Sequence, residues 1–430
     1  MSWTSSLQDA MEQNLHLEEK LEKEELNTPQ ALLKLLLSTR SVVSRSSSFA
    51  ERQQAAVGCK SPYREIGTGS IGKVFEQAGT LWAFKVLLID RTDKLWNNYL
   101  MHLRIQDSFD RLGDGSGGLE IPRAAWFANK ESEFWSENLH LFPDDPTFPR
   151  AREILCMERI FPLPQPVRHA LIELFCNPNN VATAKSDALN KDCLVRLFLG
   201  RKRYGASRPG GSRFFFPEEL QIARRSGRSA AASMADALAI MHWHTRIDAM
   251  DIEFVLGSTP YRFKTSTFER TTNTVPNFRK RIVSLWMLDF DACGPITMNT
   301  AGVNQTIKAF IENDPYCPRP HMEDAYSEQL WCLFSRRYLE TGRKITAGSP
   351  SQSLPQQFIQ GVVAKLSPPD QTGTSSGSRG PAPPQRAQSS RTPPRHVQGG
   401  QRGGRGSTSG SPKKAPSNRG RGRGQGRGYR

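Results

Sequence analysis

The hydrophobic and polar positions change their period along the chain. Near the start, Leu7, Met11 and Leu15 fall on one helical stripe, and Glu18, Glu19, Lys20, Glu22, Lys23, Glu24 and Glu25 make the far end strongly polar. Asn27 with Pro29 ends that helix, and Ala31 to Leu37 predicts a second short one. The Ser-rich stretch 44–49 reads as a linker. Three short β-like runs follow: Tyr63 to Ile66, Lys73 to Glu76 and Leu81 to Ile89. Helical spacing returns over Asn97 to Leu112, and another apolar run covers Ile154 to Ile160. Beyond it helices dominate, as in Arg225 to His242 and Ala325 to Leu339, where Trp331, Phe334 and Tyr338 mark a core face. Two stretches without a period, 200–213 and 258–281, read as exposed insertions. Leu354 to Leu366 predicts one last short helix. From Ser367 onward almost nothing can be buried, which predicts disorder. Strands early and helices late predict an α+β fold, with a helical arm over 1–50, a folded domain over 61–345 and a tail over 367–430.

Composition sharpens this division. The net charge of the 430 residues is +16. From Ser367 to Arg430 there are 13 Arg and Lys against the single Asp370, so the remainder carries only +4. The tail therefore holds most of the positive field. No window approaches the ~18 consecutive apolar residues of a membrane span. The polar, then acidic, N-terminus lacks the pattern of a secretory signal. Seven cysteines without a C-x-x-C or any zinc-ligand spacing read as reduced thiols of an intracellular protein, cytoplasmic or nuclear. His242, Trp243 and His244 read as core and cap, because a spacing of two on a helix points the two imidazoles apart.

The chemistry concentrates in three places. Gly67-Thr-Gly69-Ser-Ile-Gly72-Lys-Val74 lies between two strand-like runs, where glycines let a backbone close over phosphates. A hairpin turn is the plainer reading of the same glycines. Lys85 sits inside the apolar run Trp82 to Ile89, a costly place for an ammonium unless it meets an anion. Asp248, in Arg246-Ile-Asp248-Ala-Met-Asp251-Ile-Glu253, precedes an apolar strand. Asp289, in Trp286-Met-Leu-Asp289-Phe290-Asp291, ends another. Carboxylates so placed suit a Mg²⁺ site in a cleft, although either could instead cap a turn.

In this order the segments resemble a protein-kinase core over roughly residues 61–340, a two-lobe fold with a small β-rich first lobe and a helical second lobe. More closely, the chain resembles a fungal family of unknown function with a kinase-like domain, often labelled "zinc finger protein". That resemblance is carried by Met241-His-Trp, by Ile247-Asp248-Ala-Met-Asp-Ile-Glu-Phe-Val-Leu-Gly257, by Trp286 to Asp291, and by Asn313-Asp-Pro-Tyr-Cys-Pro-Arg-Pro320. It implies ATP and Mg²⁺ as cofactors. Gly67, Gly69, Gly72 and Val74 would form the phosphate loop, and Lys85 would bind phosphate. Cys156, Met157 and Glu158 would be the hinge, whose backbone meets adenine. Asp248 would accept the proton of the acceptor hydroxyl, and Asp289 would hold Mg²⁺, with Glu253 at the position of a second metal ligand.

The departures are specific. Asn98 stands where kinases place the glutamate that pairs with their lysine, so Lys85 is expected to be loosely placed. Arg246 and Ile247 replace the usual His-Arg, Asp291 replaces a glycine, and Pro315 to Pro320 stands where Ala-Pro-Glu is usual. Forty-one positions separate Asp248 from Asp289. These changes point to a pseudokinase or a divergent phosphotransferase; small-molecule kinases of the aminoglycoside type tolerate a divergent motif at Asp289. The alternative is a non-enzymatic RNA-associated or scaffold protein. Arg402-Gly-Gly-Arg405 and the Arg-Gly repeat from Arg419 to Arg430 suit RNA, because guanidinium stacks on bases and forks onto phosphate. The N-terminal helix is expected to pack on the domain or on a protein partner.

Overall fold

A computed structural model describes residues 41–43, 48–69, 71–88, 92–112, 119–144, 151–187, 190–192, 194–200, 224–261 and 277–368. The predicted N-terminal helices, most of the 200–213 insertion and the Arg/Gly-rich tail lie outside these residues. Among the described residues the architecture is mixed α and β, with two five-stranded sheets.

Strand β1 (Ser41–Val43) and helix α1 (Ser48–Ala55) precede the predicted strands. The expected linker over 44–49 therefore gives way to a helix at Ser48, and the helix stands because its side chains are tied down. Gln53 donates to Glu76 Oε2 at 2.9 Å and accepts from the Gly79 amide at 2.8 Å. Next come β2 (Tyr63–Thr68), β3 (Gly72–Gln77) and β4 (Trp82–Leu87), joined as consecutive antiparallel hairpins. Helix α2 (Thr92–Leu112) follows, then β5 (Leu119–Glu120), β6 (Ala124–Ala128), α3 (Glu133–Asn138) and β7 (Ile154–Glu158). The first sheet has the order β2-β3-β4-β7-β6. One face buries Tyr63, Phe75, Phe84, Trp135 and Phe142; Tyr63 and Phe142 stack with centroids 4.1 Å apart. The other face packs Leu87 and Leu155 against Leu95 of α2.

The rest of the chain is mainly helical: α4 (Gln165–Phe175), α5 (Val181–Ser186), β8 (Val195–Arg196) and α6 (Arg224–Ala239), which widens into a π-helical turn over Ile240–Thr245. Strands β9 (Glu253–Tyr261) and β10 (Asn277–Leu288) form a long hairpin, followed by α7 (Thr300–Glu312), α8 (Ala325–Thr346) and α9 (Leu354–Leu366). The second sheet runs β1-β10-β9-β8, with β5 added parallel to β10. Its helices share one core, in which Trp331, Phe334, Tyr338 and Phe358 are buried together. His242 is fully inside it and shares a 2.8 Å hydrogen bond between its Nδ1 and the Tyr338 hydroxyl.

The expected insertion over 258–281 needs correcting. Residues 258–261 and 277–281 are paired strand, and Ser258, Phe278 and Arg281 are buried. Arg281 looks like an exposed residue in the sequence. Its guanidinium instead donates to the Pro162 carbonyl at 3.0 Å and to Ser258 Oγ at 3.3 Å. A second buried guanidinium, Arg159, pairs with Glu76 and lies 3.4 Å from Asp192, joining the exit of β7 to β3.

Candidate functional site

The glycine loop connects β2 to β3. The Gly69 amide donates to the Gly72 carbonyl at 2.8 Å and closes the turn. A methyl group on Gly67 would meet nothing within 4 Å, and one on Gly69 only the Gly72 carbonyl at 3.7 Å, so the loop presents open backbone there. Gly72 has a different reason. A methyl on it would lie 2.7 Å from the Val86 carbonyl of β4. Val74 stands opposite Lys85 in the β3–β4 register.

Lys85 is buried, and its ammonium meets the segment after β10. Nζ lies 2.8 Å from Asp289 Oδ1 and 3.5 Å from Asp291 Oδ2. Burial pushes the Lys85 amine down, but Asp289 and Asp291 outweigh it, and its pKa stands above the ordinary value. The expected loose placement of Lys85 is therefore overturned. Two carboxylates beyond the C-terminal end of β10 supply what Asn98 lacks, and Asn98 Nδ2 itself sits 3.4 Å from Asp289 Oδ1.

Met157 and Glu158 lie in an interior strand, where Met157 faces Ala83 on one side and Ala124 on the other. The Glu158 amide donates to the Arg123 carbonyl at 2.7 Å, and the Arg159 amide to Leu81 at 2.8 Å. The chain leaves the sheet only after Arg159, so 156–158 is sheet backbone.

Asp248 is buried and heavily engaged. Its Oδ1 accepts from the amides of Met250 at 3.1 Å and Gly294 at 2.8 Å, and its Oδ2 accepts from Gln305 Nε2 at 2.8 Å. It joins the 246–252 loop to the 289–295 segment. Asn313, just past the end of α7, holds the same loop: its Oδ1 accepts from the Asp251 amide at 2.7 Å, and its Nδ2 donates to the Ala249 carbonyl at 2.8 Å. A cavity lined in part by His242, Asp248, Phe254, Asn313 and Tyr316 lies at this loop. Lys85 and Asp289 do not line it.

Asp251 is the exposed carboxylate of this loop, and sequence reasoning passed over it. Its only signal was a second Asp three positions after Asp248. Partial desolvation by its surroundings and the charges of Asp289, Asp291 and Asp314 push its pKa up. Glu253, at the start of β9, is ion-paired with Arg196. Burial together with Asp289 and Asp251 nevertheless raises its pKa to about 7. Burial and Asp289 likewise raise that of Asp291. In all three, desolvation is the first cause and the charge of Asp289 adds to it. Backbone strain collects here as well: Arg246, Ala249, Asp251 and Asp289 have φ of 60°, 59°, 59° and 66°. Such left-handed non-glycine residues persist where surrounding contacts enforce them, often at functional sites.

Among the described residues, no group of three or more His, Cys, Asp or Glu is arranged to hold a metal ion. Also among them, no helix is long and apolar enough to cross a membrane. A family model of unknown function, described as "Zinc finger protein", matches residues 285–350. That span begins in β10, includes Asp289, Asp291 and Gln305, and reaches beyond α8. No curated protein and no solved structure matches the chain.

Proposed function

We propose that the residues around Lys85 and Asp289 bind a nucleoside triphosphate with Mg²⁺, in a divergent kinase-like, two-lobe fold. The observation that carries this reading is the 2.8 Å contact between Lys85 Nζ and Asp289 Oδ1, which joins positions 204 residues apart. The sheet order β2-β3-β4-β7-β6, with α2 between β4 and β6 and a helical remainder, supports the two-lobe reading. The open backbone at Gly67 and Gly69 supports a phosphate loop.

Mg²⁺ fits the residues present. It uses one or two carboxylates, water and phosphate oxygens rather than a full protein cage. Asp289, one-third exposed, would hold it, with the carboxyls of Asp251, Glu253 and Asp291 near enough to feel its charge. Bound there, the ion would neutralise phosphate charge. Lys85 would meet phosphate oxygens beside the glycine loop.

The engagement of Asp248 favours nucleotide binding over efficient phosphotransfer, because three donors already occupy its oxygens. A thermal-shift titration with Mg-ATP tests the reading. The parent should be stabilised, and Lys85→Ala and Asp289→Ala should each lose most of that shift; a parent indifferent to Mg-ATP would overturn it. RNA is proposed as a second ligand on sequence alone, through the arginines of 402–430.

A further inference from the structure

The two carboxylates on Lys85 are not equivalent. Asp289 is the outer one, with a side chain 34% exposed. Asp291 is the inner one, 7% exposed, with Oδ2 3.5 Å from Lys85 Nζ and Oδ1 4.0 Å from Lys94 Nζ. Helix α2 offers Lys85 no acid. Its Asp93, Asp107 and Asp110 are exposed, and the buried Asn98 and His102 stand on its inner face. What α2 does supply is a fastening. Asn97 Nδ2 donates to the carbonyls of Asp291 at 3.0 Å and of Cys293 at 2.9 Å.

We propose that Asp291 is the positioning residue that anchors Lys85, leaving Asp289 free to turn toward a bound cation. The anchor thus comes from the segment after β10, and Asn97 locks that segment to α2. The division of labour follows from depth. A buried carboxylate beside a buried ammonium gains little by leaving it, whereas the exposed carboxylate can exchange one cation for another. Its purpose rests on the nucleotide reading; the anchoring itself does not.

The test uses the full chain. The rate at which sulfo-NHS-acetate acylates Lys85 is followed by peptide mass spectrometry without nucleotide, and Mg-ATP affinity is measured in parallel. Asp291→Asn should raise the acylation rate and weaken Mg-ATP binding, each by about tenfold, as expected for loss of one buried charged partner. Asp289→Asn should leave acylation within about twofold of the parent while reducing the Mg²⁺ dependence of binding. Asn98→Glu, one methylene longer and carrying a charge, should restore slow acylation in the Asp291→Asn background. Should Asp291→Asn fold poorly, Asn97→Ala keeps every charge and should raise acylation in the same direction. Equal acylation in the Asp289 and Asp291 variants, no rescue by Asn98→Glu, or no response to Asn97→Ala would overturn the anchor. Failure of the parent to bind Mg-ATP would instead overturn the nucleotide reading, with the acylation arm still deciding the anchor.

Discussion

Asp248 illustrates how a residue's neighbours decide its role. The kinase resemblance implies a proton acceptor, but two backbone amides and Gln305 already donate to it. Asp248→Asn would place an NH₂ group against those donors and leave one of them unpaired. The expected loss is about 1–3 kcal/mol of stability, seen as a lower urea midpoint with an unchanged slope. An unaltered midpoint would return Asp248 to the role of a free base. His102 is a second case. Its ring lies edge-on to Phe290 with centroids 5.0 Å apart, and its Nε2 meets the Pro122 carbonyl. Burial pushes its pKa down from 6.5 to about 4, with the Lys85 charge contributing. A depressed histidine is neutral when folded and protonated when unfolded, so its contribution is complete above pH 6.5 and is lost as pH falls toward 4. The loss should be on the order of 3 kcal/mol. Denaturation midpoints at pH 7 and pH 4.5 should therefore differ less in His102→Gln than in the parent. The bonds of Asp248 to Gly294 and Gln305 and of His102 to Pro122 could not be read from the sequence, because each joins residues at least 20 positions apart.

At the scale of elements, local pattern was a good guide wherever one face is buried. The strand-like runs beginning at Tyr63, Lys73 and Leu81 became β2, β3 and β4, and the helical runs at Arg225, Ala325 and Leu354 became α6, α8 and α9. It failed where long-range contacts override composition. Residues 258–261 and 277–281 are polar enough to resemble a loop, yet the β9–β10 pairing and the Arg281 hydrogen bonds make them strand. Helix α1 likewise starts inside a Ser-rich stretch and is held by Gln53. The last helix, α9, packs Phe358, fully buried, against Tyr338 with centroids 4.7 Å apart and places Gly361 against Ile307 of α7. Phe358→Ala should cost about 3–5 kcal/mol of global stability. A change below about 1 kcal/mol would mean that α9 contributes little to the fold.

For the whole molecule, charge separates a near-neutral body from a basic tail. If about six tail arginines meet single-stranded RNA phosphates, log K should fall with log salt at a slope of roughly −4. Truncation after Leu366 should abolish that salt-sensitive binding and leave the Mg-ATP thermal shift in place. RNA binding that survives truncation with the same slope would assign it to the body. The amino-acid sequence by itself determined this charge division, the period of most strands and helices, and the order of glycine loop, lysine and two aspartates, because these depend on composition and on neighbours a few positions away. Tertiary structure alone decided that Lys85 meets Asp289 and Asp291, that Asp248 ties two loops together, and that Asn313 and Asn97 fasten the site. The physical reason is that burial, left-handed backbone and hydrogen-bond partnership are set where distant segments meet, and no single segment carries that distance.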